Sequence, residues 1–396
     1  MSGARVYLND LGIVCALGEG AAQVRRALFA SDAPGGVAIS EAITPGRPIA
    51  IGHIKHPLPD VSDWPLPLHG RNNALLAAAF AQIRDVTDQA IVRYGADRVA
   101  VILGTSTSGI GEAEQALPKW QDSGQWPAGF HYSQQEIGAP SRFLVHESGV
   151  RGPSWTISTA CSSSAKALAS AARLLRAGIV DAVIAGGADS LCRFTIEGFT
   201  ALESVSAARC NPFSRNRNGI NIGEGAALFL MTREPGPVHL AGWGESSDAH
   251  HISAPEPHGT GAVAAIQQAL SRAGIDAQQL DYVNLHGTAT RQNDAMESLA
   301  AMAIFGGEVP VSSTKPLTGH TLGAAGAVEA GLCWLSMVDN PDALLPPHWW
   351  DGEGDPELPS LHLVQPGERA AQPLRHVLSQ SFAFGGSNAA LLFGVD

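Results

Sequence analysis

Residues 155–175, WTISTACSSSAKALASAARLL, decide how this chain is read. An apolar run over 155–159 has the character of a buried strand. An Ala-rich run over 165–177 brings Leu168, Ala172 and Leu175 round at helical spacing, and Gly178 is a natural stop. Between them lies a turn of small residues carrying Cys161. The same strand–loop–helix order returns at residues 309–331, VPVSSTKPLTGHTLGAAGAVEAG, with His320 in the turn. Working outward, VYLNDLG (6–12) is echoed by VHLAGWG (238–244). VAVILGTSTSGIGEAE (99–114) is echoed by LDYVNLHGTATRQNDAME (280–297), and GGADS followed by GAALFLMT is echoed by FAFGGSNAALLFG (382–394). The order is the same on both sides of Pro235-Gly236-Pro237. The expectation is an α/β fold made of two duplicated halves, 1–236 and 237–396. Strands are predicted at 6–11, 99–104, 155–159 and 182–185. Residues 115–150, with Trp120, Trp126, Phe130 and Tyr132, do not fit the repeat and read as an insertion serving as lid, pocket wall or subunit contact.

The bulk properties agree with a large buried core. The chain has 396 residues, 45% hydrophobic and only 16% charged, with 44 glycines. A net charge of −12 disfavours generic binding to nucleic acid or an anionic membrane. The start MSGARVYLND has no apolar signal core, and no apolar run reaches membrane-span length. The five cysteines are scattered without a C-x-x-C or zinc pattern, so a reducing cytoplasm is expected and no metal is called for.

Cys161 sits in STACSSS at a helix start, where backbone N–H groups and the helix dipole favour a thiolate and can hold an oxyanion. A lone cysteine is more often a buried structural residue, and Cys15, Cys192, Cys210 and Cys333 are read that way. His286 in NLHGTAT and His320 in KPLTGHTLGAAG each stand at a strand end of the second half, matching the place of Cys161 in the first. Ligands collect beyond the carboxyl ends of such strands, so three reactive side chains at equivalent ends point to one site. Lys315 and Glu297 lie close by in sequence and are expected to pair and orient the histidines; the alternative is an ordinary surface ion pair. Phe384-Gly385-Gly386 reads as a gate over the sulfur or as a plain hairpin turn. His250-His251 lacks metal-ligand spacing. The phosphate-loop, dinucleotide and G-x-S-x-G signatures are not found.

TACSSS, HGTAT, KPLTGH and FAFGGSN, with AGGADS, NPFSRNRNG and GEGA in the same order, resemble the β-ketoacyl-[acyl-carrier-protein] synthases of the thiolase superfamily over nearly the whole chain. The resemblance implies a five-layer αβαβα fold, a dimer, and the elongating Cys-His-His type, because initiating relatives are similar to a Cys-His-Asn pattern instead. It implies transthioesterification onto Cys161, with the Cys161 and Phe384 N–H groups as oxyanion hole. Decarboxylative attack by malonyl-carrier protein then follows at His286 and His320, supported by Lys315 and Glu297. Thr288 and Thr290 match pantetheine-binding positions, Ile110 and Phe199 border the acyl pocket, and Gly385, Asp248 and Asn388 belong to the gate. The implied partner is an acyl carrier protein that brings its own 4′-phosphopantetheine, so no cofactor of the chain's own is expected.

The sequence departs from the common pattern in two places. HGTATRQND stands where HGTSTPxGD is usual, and RNGI where RDGF is usual. With few lysines available, Arg71, Arg209, Arg215 and Arg217 are the candidates for meeting an acidic carrier. These departures suit a specialised aryl polyene or other polyketide branch. The rival readings are a non-decarboxylating acyltransferase on the same fold and the partner subunit of a heterodimeric ketosynthase.

Overall fold

The computed structural model describes residues 4–396. The first half supplies strands β1 (Tyr7–Cys15), β2 (Val99–Gly104), β3 (Ser154–Ile157), β4 (Ala182–Asp189) and β5 (Gly225–Thr232). The second supplies β6 (Val238–Ser247), β7 (Tyr282–Asn284), β8 (Pro310–Ser312), β9 (His376–Ala383) and β10 (Ser387–Gly394). The order across the sheet is β3-β2-β4-β5-β1 and then β6-β10-β9-β7-β8, the same series twice with the joined edges facing. Orientations repeat too. The two strands nearest each joint are antiparallel, as are β4–β5 and β9–β10, while the outer pairs are parallel. The joint is short, pairing Tyr7 with His239 and Leu8 with Val238.

Side-chain alternation builds the layers, since successive residues of a strand face opposite sides. Ala100 and Ile102 of β2, Val183 and Ala185 of β4, and Phe229 and Met231 of β5 face one core. Their neighbours Val101, Leu103, Ile184 and Leu228 face a second core, under the outer helices α1 (Arg71–Ala81) and α3 (Ala139–Ser148). In the second half Leu391 and Phe393 look into the first core, while Leu378, Ala390 and Leu392 face a third. That third core lies under α6 (Thr260–Ala273) and α7 (Arg291–Phe305). The shared middle core holds α4 (Ser163–Arg176) and α8 (Ala325–Met337), packed on each other. Helices, sheet, helices, sheet, helices is the thiolase-like five-layer arrangement. Gly326 of α8 is required by this contact. A Cβ there would come within 2.7 Å of Ala165 on α4.

The presumed insertion is narrower than expected. Residues 139–148 form α3, whose Phe143 and Leu144 are fully buried in the outer core, in the place that α7 takes before β8. Burial of two large apolar side chains outweighs the lack of visible sequence repeat. What remains is the helix α2 (Ile110–Ser123) and the loop after it, where Trp120 and Trp126 stack at 5.4 Å and Phe130 packs on Trp126. Among the described residues no helix is long and apolar enough to cross a membrane.

Candidate active site

Cys161 lies between β3 and α4, and the preceding Ala160 is held at φ 51°. That left-handed turn, uncommon for a residue other than glycine, stands at the head of α4. The side chain is 5% exposed. Backbone N–H groups of Phe384 and of Cys161 itself are aimed at the sulfur, and His320 Nε2 is 3.0 Å from it. The helix start does not produce a resting thiolate, however. Burial pushes the thiol up to about 11, more than the positive charge of Lys315 and the N–H groups pull it down. The helix start pulls toward the thiolate as expected, and burial outweighs it.

The two histidines come from the second half as read from the sequence. Reactive atoms of Cys161, His286 and His320 all lie within 4.8 Å of one another, and the two imidazoles meet edge to face at 5.3 Å. Their hydrogen-bond partners decide which nitrogen carries the proton. Lys315 Nζ stands 3.3 Å from His286 Nδ1; an ammonium can only donate, so Nδ1 accepts and the proton is on Nε2. The Leu322 N–H donates to His320 Nδ1 at 3.2 Å, so His320 likewise carries its proton on Nε2. Both rings are fully enclosed. Burial first, and then the charge of Lys315, hold each well below the usual histidine value, so each is neutral at neutral pH. The result is two neutral N–H donors beside one thiol.

Lys315 is 1% exposed and does not pair with Glu297, contrary to expectation. Its partner is Glu329 of α8, at 2.5 Å, and it also donates to the His286 carbonyl. Glu297 works differently. Its two oxygens accept the backbone N–H groups of His286 and Gly287, both at 2.6 Å, and so fix the turn after β7. Burial raises its carboxyl to about 8 against the pull of these donors. Asn293, one of the departures, donates to Glu297 at 3.1 Å and to Asp294 at 3.1 Å; the amide thus fits into the carboxylate cluster. Gly287 must lack a side chain, because a Cβ there would lie 2.4 Å from that of Ser313.

The cavity at this point is lined by Cys161, both histidines, Thr288, Thr290 and Phe384. The two threonine hydroxyls are 3.0 Å apart. A second, apolar cavity begins at Cys161 and runs between Ile110, Phe199, Phe194 and Leu322. Phe384 lies in both walls, with its ring 5.5 Å from that of Phe199. Asp248 and Asn388 brace the Gly385-Gly386 turn as expected. Asn388 donates to Asp248 at 2.6 Å, the Asp248 N–H donates to the Gly386 carbonyl, and the Gly385 N–H donates to Ile252.

The arginines expected to meet a carrier are mostly structural. Arg71 forms a two-pronged pair with Glu224, itself fully buried. Arg209 donates to the carbonyls of Gly35, Val37 and Pro316. Arg217 is 4% exposed and paired with Asp355. Arg215 remains at the surface beside Glu353. His251 accepts N–H groups within its own exposed loop. Two buried acids were missed by the sequence reading. Glu329 was signalled only by being an acid in the Gly/Ala-rich run GAAGAVEAG. Asp189 gathers the Thr105 and Thr107 hydroxyls, each at 2.6 Å, and with them the loop leading to Ile110.

Comparison with known proteins agrees with this geometry. Residues 77–235 match the β-ketoacyl synthase N-terminal domain and residues 238–348 the C-terminal domain. The 3-oxoacyl-[acyl-carrier-protein] synthase 2 of Staphylococcus aureus is 32% identical over 75% of this chain and 77% of that one. The enzyme of the same name from Rhizobium meliloti is 36% identical, the match spanning 61% of each chain. The ketosynthase ApeO of Xenorhabdus doucetiae, solved in complex with its chain length factor ApeC, is 46% identical. That match covers 99% of this chain and 98% of that one, with a TM-score of 0.92. The chain belongs to the β-ketoacyl synthase family. Within it, the chain is an acyl-transferring enzyme of the elongating type.

Proposed function

We propose that this chain is the catalytic subunit of a ketosynthase that elongates an acyl chain by decarboxylative Claisen condensation on an acyl carrier protein. The observation that carries the reading is the convergence of two neutral Nε2–H donors on the Cys161 thiol. In the first stage Cys161 sulfur attacks the thioester of acyl-phosphopantetheine. The carbonyl oxygen turns toward the Cys161 and Phe384 N–H groups. The thiol proton leaves with the pantetheine sulfur, so the exchange is proton-neutral. In the second stage malonyl-carrier protein replaces the first carrier, its arm held at Thr288 and Thr290. His286 and His320 donate to the malonyl thioester oxygen. Loss of CO₂ leaves an enolate stabilised by those two bonds, and its carbon attacks the acyl-Cys161 carbonyl. The Cys161 thiolate departs and takes up one proton from solvent, the proton that decarboxylation consumes overall. A neutral donor suits this step, since it stabilises developing charge without first binding the substrate carboxylate as a salt.

The finer reading is a polyketide synthase of the aryl polyene kind, acting as one half of a heterodimer with a chain-length-factor-like subunit, in the cytoplasm and without a cofactor of its own. The 46% identity to a ketosynthase solved with its chain length factor supports the heterodimer. The substitutions at Arg291, Asn293 and Asn218 support a specialised branch. The test is CO₂ release and β-ketoacyl formation from acyl- and malonyl-carrier protein, for native protein and for Cys161→Ala and His320→Ala. Condensation is expected to vanish with Cys161→Ala; full activity in that variant refutes the mechanism. Turnover restricted to short saturated chains, with polyenoyl carriers rejected, refutes the branch.

A further inference from the structure

The two N–H groups aimed at the sulfur belong to segments 223 positions apart in sequence, one in each half of the chain. Something has to hold them in register. Directly after Cys161, Ser162 is fully buried, and its hydroxyl donates to the Thr159 carbonyl at 2.9 Å. The same oxygen shares a hydrogen bond with Ser387 Oγ at 2.9 Å. Ser387 follows Phe384-Gly385-Gly386 and opens β10. Its own oxygen accepts from Lys166 Nζ of α4 at 2.6 Å. The bonds thus link Lys166 to Ser387, Ser387 to Ser162, and Ser162 to Thr159 through both its carbonyl and, at 3.0 Å, its hydroxyl. The chain crosses from the nucleophile turn to the gate turn and ends on backbone at the nucleophile side.

We infer that Lys166, Ser387 and Ser162 are positioning residues that set the spacing of the Cys161 and Phe384 N–H groups, and so govern acyl transfer onto the sulfur. The inference rests on the reading of Cys161 as acyl acceptor. Lys166 is partly buried, and its Nζ donates to Ser387, with no carboxylate within ion-pair distance among the described residues. An ammonium with no acidic partner has little value as a stabilising ion pair, whereas one that donates to a serine joining two catalytic turns has a clear use. The glycines leave the turn dependent on outside contacts, of which the Asp248–Asn388 brace is one and this tie another. Gly385 and Gly386 both sit at positive φ, 83° and 75°, so the gate turn has little stiffness of its own.

The experiment uses the intact chain with any partner subunit present. The rate of Cys161 acylation by an acyl-pantetheine thioester is followed by intact mass. It is compared with the rate of Cys161 alkylation by iodoacetamide, which displaces iodide and forms no tetrahedral oxyanion. For Ser387→Ala and for Lys166→Met, acylation is expected to fall roughly 10- to 100-fold, the scale of a misplaced oxyanion donor. KM should stay within about twofold and alkylation within about threefold. Ser387→Thr, which keeps the hydroxyl, should restore acylation. Unchanged acylation in Ser387→Ala overturns the inference, and so does an equal fall in both rates, which would mean a generally loosened site. Failure of the unsubstituted protein to acylate at Cys161 would instead overturn the reading on which the inference rests.

Discussion

Replacing Glu329 by Leu isolates the contribution of the Lys315 pair. Both groups are nearly inaccessible, at 1% and 2% exposed, and Nζ sits 2.5 Å from the carboxylate. Removing the acid leaves an ammonium buried against the His286 carbonyl and the His286 Nδ1, with no countercharge. Breaking such a pair costs about 3–5 kcal/mol, a large part of the roughly 5–15 kcal/mol that holds a domain together. Adding Lys315→Met removes the stranded charge, and a well-packed apolar pair recovers most of that loss. Catalysis should not recover with it. Without the ammonium, His286 Nδ1 loses the donor that fixes its tautomer. The ring is then free to place its proton on Nδ1, away from the cavity, and one enolate donor is lost, at a cost of about 10²–10³ in rate. Stability is read by urea unfolding and catalysis by CO₂ release from malonyl-carrier protein. The reasoning fails if the single variant lies within 1 kcal/mol of native, or if the double variant regains activity along with stability.

Three further outcomes follow from the same geometry. The iodoacetamide rate at Cys161 should still be climbing above pH 9, because burial has pushed the thiol up to about 11; a plateau near neutral pH refutes this. Nitrogen chemical shifts of labelled histidine should show His286 and His320 neutral, with the proton on Nε2, through pH 6.5 and below. These depressed values cost the fold nothing above 6.5 and lower its stability as pH falls below it, since the unfolded chain then takes up the protons first. Titration of either ring at an ordinary value would contradict the assignment. Arg71→Ala should lower stability by about 3 kcal/mol by stranding the fully buried Glu224, with carrier-protein affinity unchanged; a tenfold weaker carrier affinity would return Arg71 to the docking surface.

Much of this protein was legible along the chain. Strand runs such as 99–104 and the helical spacing of Leu168, Ala172 and Leu175 depend on local pattern, and local pattern is written in order. The turns carrying Cys161, His286 and His320 were legible for the same reason: a small-residue loop between a strand and a helix needs no distant partner to be recognised. Residues 139–148 were missed because their burial comes from packing on strands that their own sequence does not name.

What only the tertiary structure decided is pairing and charge state. Lys315 has an acid on each of two nearby helices, and the fold pairs it with Glu329 while Glu297 holds backbone. The helix start at Cys161 argued for a thiolate, yet desolvation in a closed core outweighed it. Arg71 and Arg217 looked free for a carrier until the fold placed Glu224 and Asp355 against them. Covalent order fixes which groups exist and the turns that display them. Which group faces which, and how far water is excluded from them, depends on how separate elements pack, whether 14 residues apart as for Lys315 and Glu329 or 159 as for Cys161 and His320, and those two quantities set the ionisation at this site.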